Sequence, residues 1–286
     1  DCKVYNVDLD RSSSTVSTTD GSTGGILGQY SNSIYVGNLD IKDKDLKIIN
    51  CKVEESKVKV KGQSTGGILG FTIQENVENS ATNIIDCEVK NSEISNYGTV
   101  QTYGSVGGIC GQAYYVDNFG INNCKAVNVK VIGPSGNSFD TDVGGICGTS
   151  YNVGNTDIRN NDIISSNIVN ESRNDSYANT AGIIALIYSE NISGNNYNIE
   201  NCNVVNTNLS TYSGNVGGIG GTINYNCKGK VINCNVTGSK NEENEYINKI
   251  ISYSNTSSNS VSSIGVANAQ DDIEIVNVIV KDMSIR

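Results

Sequence analysis

Residues 106–111 read VGGICG, and residues 143–148 read the same six letters again. Related glycine motifs of the form Gly-Gly-Ile-Xaa-Gly recur along the chain. The copies begin at Gly24, Gly66, Gly107, Gly144, Ala181 and Gly217. Their steps of 42, 41, 37, 37 and 36 residues are typical of repeat proteins, in which each repeat is one structural unit stacked on the next.

A second motif, Asn-Cys-Xaa-Val, alternates with the glycine motif. Its cysteines are Cys51, Cys87, Cys124, Cys202 and Cys234, with Cys2 in a truncated first copy. Asn161 and Val278 stand in the cysteine position of two further copies. The steps between successive positions range from 32 to 49 residues, and this variation indicates insertions in the loops of the repeats.

The residues after each cysteine alternate between apolar and polar side chains over a few positions, as in Val53–Val60. This period of two is typical of β-strands, and the chain has no helical stripe of useful length. A repeat with two or three short strands buries its apolar face only against neighbouring repeats. We therefore predict an all-β fold, a right-handed parallel β-helix (β-solenoid) of about seven coils of 32–49 residues, forming one domain over residues 1–286.

Stacked coils place equivalent residues about 4.8 Å apart, so each motif position predicts a ladder along the axis. The predicted aliphatic ladder contains Ile26, Ile68, Ile109, Ile146, Ile183 and Ile219. The predicted thiol ladder contains Cys51, Cys87, Cys124, Cys202 and Cys234. The residue before each cysteine-column position forms a third ladder of Asn50, Asp86, Asn123, Asn160, Asn201 and Asn233, whose side chains suit turns and can bond from coil to coil.

The composition excludes several classes of function. The net charge is −10, and no basic patch is present to bind nucleic acid through its phosphates. No run of 18 apolar residues occurs, so we expect no membrane insertion in this segment. The chain lacks an initiator Met and a signal peptide, and we expect it to be a segment excised from a larger protein.

The residues for common catalytic and cofactor chemistry are also missing. The chain has no histidine, which removes Ser-His-Asp and Cys-His machinery. No CxxC pair occurs, which argues against zinc. The glycine motifs precede neither a helical pattern nor a Lys-Ser/Thr pair, so we interpret them as scaffold rather than as a phosphate loop. We therefore predict no catalytic residue, no metal site and no cofactor.

Acidic pairs are the remaining catalytic candidates, because glycosidases use two carboxyl groups. The pairs and clusters are Asp140/Asp142, Asp40/Asp43/Asp45 and Asp271/Asp272. We interpret them as solvated loop acids, because no acid column spans adjacent repeats and none of the four arginines lies in an evident acid cluster.

The nine cysteines are interpreted as free, buried thiols that act as small apolar side chains. Disulfides between column neighbours are the alternative, but in-register stacking holds the two Cβ atoms slightly too far apart. Cys227 lies outside both motifs, and we expect it to be the most reactive thiol.

An aromatic residue follows each glycine motif. The column contains Tyr30, Phe71, Tyr114, Tyr151, Tyr188 and Tyr225. An exposed aromatic ladder could stack on sugar rings or contact a protein partner. The alternative is a structural stack that closes the coil.

The alternation of GGILG, GGICG and GGIGG with Asn-Cys segments resembles the GLUG-motif repeat proteins over nearly the whole chain. This resemblance implies a β-helical segment of a secreted or surface-attached bacterial protein, with an extracellular or cell-surface location. It departs from that family in using Ile where Leu is usual and in its longer loops. We expect a non-catalytic adhesin, stalk or ligand-binding scaffold whose partner is an extracellular protein or a glycan. The alternatives are a carbohydrate-active β-helix enzyme and a non-catalytic arm of a secreted protease.

Overall fold

The structure is a computed structural model, and it describes most of the chain. The described residues are 2–11, 22–31, 45–61, 63–75, 77–98, 104–135, 141–173, 178–190, 195–223, 227–253, 260–267 and 273–286. Every regular element in these ranges is a β-strand. None of the described residues forms a helix that could cross a membrane.

The first four coils each contribute five strands. The first coil contains β1 (Cys2–Tyr5), β2 (Asp8–Arg11), β3 (Thr23–Gly24), β4 (Leu27–Ser31) and β5 (Asp45–Ile49). The second contains β6 (Cys51–Glu54), β7 (Lys57–Val60), β8 (Thr65–Gly66), β9 (Leu69–Ile73) and β10 (Ala81–Ile85). The third contains β11 (Glu88–Lys90), β12 (Glu93–Asn96), β13 (Val106–Gly107), β14 (Cys110–Tyr114) and β15 (Asn118–Asn122). The fourth contains β16 (Lys125–Val127), β17 (Lys130–Ile132), β18 (Asp142–Gly144), β19 (Cys147–Tyr151) and β20 (Asn155–Arg159).

The remaining strands repeat this order. The fifth coil contains β21 (Asp162–Ile164), β22 (Asn167–Asn170), β23 (Asn179–Ala181), β24 (Ile184–Tyr188) and β25 (Asn195–Glu200). The sixth contains β26 (Asn203–Val205), β27 (Asn208–Thr211), β28 (Asn215–Gly217), β29 (Gly220–Ile223) and β30 (Cys227–Ile232). The seventh contains β31 (Asn235–Thr237), β32 (Lys249–Ser252), β33 (Val261–Ser262), β34 (Val266–Ala267) and β35 (Ile273–Val276). An eighth coil begins with β36 (Ile279–Lys281) and β37 (Ser284–Ile285).

Each strand of a coil joins a different sheet, which we number 1 to 5 in the order of the strands within a coil. The five sheets contain seven or eight strands each, and every strand pairs with the equivalent strand of the next coil. The pairing is parallel and in register, as between β10 and β15 or between β15 and β20. The predicted all-β parallel β-solenoid of about seven coils is therefore confirmed, while its right-handed winding stays a prediction.

The glycine motifs lie at one corner of successive coils, between sheets 3 and 4. Gly107 of β13 pairs with Gly66 of β8 on one side and with Gly144 of β18 on the other. Beyond the corner, the Ile109 amide donates to the Ile146 carbonyl, and the Ile146 amide donates to that of Ile183. All the isoleucines of the predicted aliphatic ladder except the half-buried Ile26 are fully buried; they are Ile68, Ile109, Ile146, Ile183 and Ile219.

The Asn-Cys motif forms a second corner, between sheets 5 and 1. The residue before the cysteine adopts a left-handed backbone, with φ of 54° at Asn50, 57° at Asn123 and 54° at Asn160. Asn and Asp tolerate this conformation better than other residues with a side chain. Asp86, Asn201 and Asn233 take the same conformation. The exposed amides of this column also bond between coils, because Asn160 donates to Asn123 and Asn201 donates to Asn160, both at 3.1 Å.

The column thiols link neighbouring coils by hydrogen bonds. The Cys87 amide donates to the Cys124 Sγ at 3.4 Å, and the Cys124 thiol donates to the Asn122 carbonyl at 3.4 Å. The Cys51 amide bonds the Cys87 Sγ in the same way at 3.4 Å. Cysteine thus satisfies backbone groups that a left-handed turn leaves unpaired, which a purely apolar side chain cannot do.

A second left-handed corner, between sheets 1 and 2, has no uniform sequence signature. Its left-handed residues are Asn6, Glu55, Asn91, Asn128, Ser165, Asn206 and Asp282. The residue that follows is often Ser or Thr. Its hydroxyl accepts a hydrogen bond from a backbone amide of the neighbouring coil, as the column thiols do. The Ser56 amide, for example, donates to the Ser92 hydroxyl at 3.0 Å.

Asn161 provides a test of the thiol column, because it occupies a cysteine position. Its Oδ1 accepts the Cys124 amide at 2.8 Å, and its Nδ2 donates to the Ile121 carbonyl at 2.7 Å, within a fully buried site. We expect Asn161→Ala to lower the free energy of unfolding by about 2–4 kcal/mol, because two buried backbone groups lose their partners. Asn161→Cys should cost less than about 1 kcal/mol, and chemical denaturation of both variants measures the difference. Equal losses would contradict this role of the column.

Candidate functional site

The predicted aromatic column is partly assembled on the outer face of sheet 4. Tyr114, Tyr151 and Tyr188 end β14, β19 and β24 in register. Their ring centroids are 4.8 Å and 4.9 Å apart in a stacked arrangement. Phe71 lies two positions earlier in its strand, opposite Gln112, with its ring 6.3 Å from that of Tyr114. These four residues form what we call the aromatic stripe.

Two members of the predicted column are not in the aromatic stripe. Tyr30 pairs with the buried Thr72 and lies between the exposed Gln29 and Ser31, so it takes the inward position of β4. Tyr30 therefore does not share the column of Tyr114, Tyr151 and Tyr188, because the spacing after the glycine motif is one residue different in the first coil. Tyr225 lies outside the described residues.

The ring faces of the aromatic stripe are largely covered by one another. Tyr151 lies between the rings of Tyr114 and Tyr188, and its hydroxyl donates to Glu190. Burial raises the pKa of Tyr114 to about 12. A stack of this kind closes the end of sheet 4 and leaves ring edges, rather than open faces, for a ligand.

A groove runs along the outer face of sheet 5, immediately after the aromatic stripe in the chain. It encloses about 780 Å³ and extends from Asn83 in the second coil to Glu274 in the seventh. One wall is a ladder of exposed amides, in which Asn155 donates to Asn118 at 3.0 Å and Asn196 donates to Asn155 at 3.4 Å. We call this feature the amide groove.

A charged cluster lies in the middle of sheet 5, and two of its members, Asp157 and Arg159, line the amide groove. The Arg159 Nε is 2.5 Å from a carboxylate oxygen of Asp157 and 3.9 Å from one of Glu200 on the next coil. The Asn198 amide donates to the same Asp157 oxygen at 3.1 Å and to Glu200 at 3.4 Å. The expectation that no arginine lies among clustered acids was therefore wrong, because coil stacking joins residues 41 positions apart in the sequence.

The acids singled out in the sequence do not form a catalytic pair in the described residues. Asp142 is buried, and its two oxygens accept the Thr149 hydroxyl and the Asn179 amide, each at 2.7 Å. The Asp142 carboxylate therefore bonds one side chain of its own coil and one of the next coil, and it is not a surface acid. Asp45 is exposed and lies 3.9 Å from Lys47. Asp40, Asp43, Asp140, Asp271 and Asp272 lie outside the described residues. Within the described part of the chain, no group of three His, Cys, Asp or Glu side chains could hold a metal ion.

All nine cysteines carry free thiols, and eight of them are buried. Cys227 is 1% exposed, so the expectation that it would be the most reactive was wrong. It packs inside β30, whereas Cys2 at the edge of the first coil is exposed. Burial also raises the pKa of the Cys51 and Cys147 thiols.

We expect a bulky maleimide to modify one thiol quickly in the native protein and all nine in denaturant. Only thiolates at the surface react readily, and Cys2 is the exposed residue. Mass spectrometry of timed digests measures the rates, and Cys2→Ser should abolish the fast phase. Rapid modification of Cys124 or Cys227 in the native protein would contradict the packing described above.

The fold and these surfaces define a parallel β-solenoid with a long groove along sheet 5. No family model matches the chain, and no curated protein matches it. A solved structure of a "putative immunoglobulin A1 protease" from Bacteroides ovatus aligns with 98% of this chain and 77% of its own, at 15% identity and a TM-score of 0.34. A likeness this slight carries no conclusion about function.

Proposed function

We propose that this chain is a non-catalytic, surface-exposed segment of a bacterial extracellular protein, which acts as an adhesin, a stalk or a ligand-binding scaffold. The observation that carries the proposal is the register of the coils, which pair strand by strand in every sheet. Such a stack is rigid and presents rows of outward side chains at a constant spacing of about 4.8 Å. Its resemblance to GLUG repeats supports the extracellular location.

Binding to cell surfaces tests this function. We expect the fluorescently labelled protein to bind bacterial or epithelial cells, or arrays of extracellular proteins and glycans, saturably and without altering what it binds. The control is the heat-unfolded protein, which lacks the ordered rows. A folded protein that binds none of these surfaces would contradict the adhesin and scaffold roles and leave only the stalk.

The charged cluster favours a second candidate, a carbohydrate-active β-helix enzyme. Asp157 and Glu200 lie on adjacent coils beside one arginine, and paired carboxyl groups are the machinery of glycosidases. Release of reducing ends or unsaturated products from polysaccharides would establish this candidate, provided that Asp157→Asn or Glu200→Gln abolishes the release. Intact polysaccharides after prolonged incubation would exclude it for those substrates.

A further inference from the structure

The amide groove has a regular wall whose chemistry is set by the hydrogen bonds that its residues already make. Asn118 donates to the Ser80 carbonyl at 3.3 Å and accepts from Asn155 at 3.0 Å. Asn155 accepts in turn from Asn196 at 3.4 Å. A side-chain amide has two N–H donors and two acceptor lone pairs. The bonds named here use one donor and one lone pair of Asn118 and of Asn155, so each of these two amides keeps one donor and one lone pair for a ligand.

The spacing of this wall suits a linear polymer. Successive coils are about 4.8 Å apart, which is close to the length of one pyranose unit in an extended sugar chain. From Asn83 in the second coil to Glu274 in the seventh, the groove covers five coil steps, or about 24 Å. The remaining donor and acceptor of Asn118 and of Asn155 can meet the hydroxyl groups of successive sugar units, because a hydroxyl is itself both a donor and an acceptor.

The charges of the amide groove favour a neutral polymer. Asp157 and Glu274 are balanced by Arg159 and Lys230 among the residues that line it. Asp157 and Arg159 are already paired with each other at 2.5 Å. The whole chain carries a net charge of −10, which repels polyanions such as acidic polysaccharides.

A polypeptide fits the groove less well. Peptides that bind sheets add to an exposed edge, where main-chain groups are unpaired. The floor of the amide groove is the interior of sheet 5, whose main chain pairs in register from β10 through β30. Recognition there must come from side chains, and the amide wall offers groups that bind hydroxyls.

We propose that the amide groove binds an extended neutral polysaccharide, with Asn118 and Asn155 bonding successive sugar units. This inference rests on the proposed binding function and names its ligand class and its site. Beside this wall, Asp157 and Arg159 pair within one strand, and the Arg159 side chain lies 3.9 Å from Glu200 on the adjacent coil.

Affinity electrophoresis through gels that contain β-glucan, mannan, xylan or polygalacturonate tests the inference. We expect at least one neutral polymer, and not the acidic polygalacturonate, to retard the protein. The double variant Asn118→Ala with Asn155→Ala should raise the Kd about tenfold or more, because two or more hydrogen bonds to the ligand are lost.

A matched control removes the same kind of contact from another face. Asn235 donates to Asn203 at 2.8 Å on the outer face of sheet 1, and both residues are half-buried strand residues. Asn203→Ala with Asn235→Ala should leave the Kd within about twofold of the original value. A circular dichroism spectrum confirms that both double variants fold.

Three results would overturn the inference: no retardation by any neutral polymer, stronger retardation by polygalacturonate, or equal binding by the groove variant and the original protein. The failure of the broader function is a separate result. A protein that binds cells or extracellular proteins but no neutral polymer retains the proposed function and loses this ligand, whereas one that binds nothing loses this ligand and also the adhesin and scaffold roles.

Discussion

Gly145→Ala is expected to lower the free energy of unfolding by about 3 kcal/mol or more. A Cβ atom at this position would lie 2.2 Å from the Gly182 carbonyl oxygen of the next coil and 3.1 Å from the Ile163 side chain. The first of these contacts is with backbone, so the overlap is relieved only by separating two coils. Thermal denaturation measures the loss, and amide hydrogen exchange should increase in the fourth and fifth coils first, because repeats of a solenoid depend on their neighbours.

Gly220→Ala is the matched control for this prediction. Gly220 lies in the same corner motif, but the nearest atoms to its added Cβ are those of the Ile223 side chain at 3.7 Å and 3.8 Å. The equivalent position in the previous coil is Ile184, so a side chain is compatible with this site. We expect no loss, or a gain of up to about 1 kcal/mol from the lower entropy of the unfolded chain. A similar loss for Gly145→Ala and Gly220→Ala would show that close approach of the coils is not the cause.

Phe119→Ala is expected to lower the free energy of unfolding by about 3–5 kcal/mol. Phe119 is 1% exposed and is one of the largest fully buried side chains. In register, it lies between Thr82 of the second coil and Thr156 of the fourth. These smaller neighbours are held by their own strands and cannot move into the space, so truncation leaves a cavity.

Phe71→Ala makes the same chemical change at the surface. Phe71 is half-buried in the aromatic stripe, with its nearest ring partner, Tyr114, at 6.3 Å. We expect a loss of about 1 kcal/mol, since a tilted aromatic pair contributes little beyond the area that it buries. Urea denaturation of the two variants compares them directly. If Phe71→Ala lowers the free energy of unfolding as much as Phe119→Ala does, the aromatic stripe is a major stabilising element and not only the end of sheet 4.

Several surface features could be predicted from the sequence, but only after the repeats are aligned coil by coil. Arg159 and Glu200 each precede an Asn of the Asn-Cys motif, Asn160 and Asn201. Aligning the motifs therefore places these two charges on neighbouring strands. In the same way, Asn118 and Asn155 each follow a tyrosine of the aromatic column by four positions. This spacing is hard to notice in the sequence because asparagine is so frequent in the chain.

Other features have no signal in a single sequence. The left-handed corner between sheets 1 and 2 uses residues as different as Glu55, Asn91 and Ser165, because water-exposed turns accept several side chains at a modest cost. The inward position of Tyr30 depends on a difference of one residue between coils, and in a strand a shift of one residue reverses the face. The burial of Cys227 depends on which face of β30 it takes, and the sequence around it has no clear alternation.

By itself, the sequence determined the class of fold and the two corners formed by the glycine motif and the Asn-Cys motif. A repeat period and a recurring motif position can both be read from the sequence without a structure. The second glycine of each motif shows this, since it remains Gly even where the first becomes Ala181. Only the tertiary structure decided which surface is a candidate site. The residues of the amide groove and its charged cluster come from different coils, more than thirty positions apart, and they meet because the main chain of sheet 5 pairs in register. Loops of unequal length conceal that register in the sequence, whereas the backbone hydrogen bonds of the stacked coils define it.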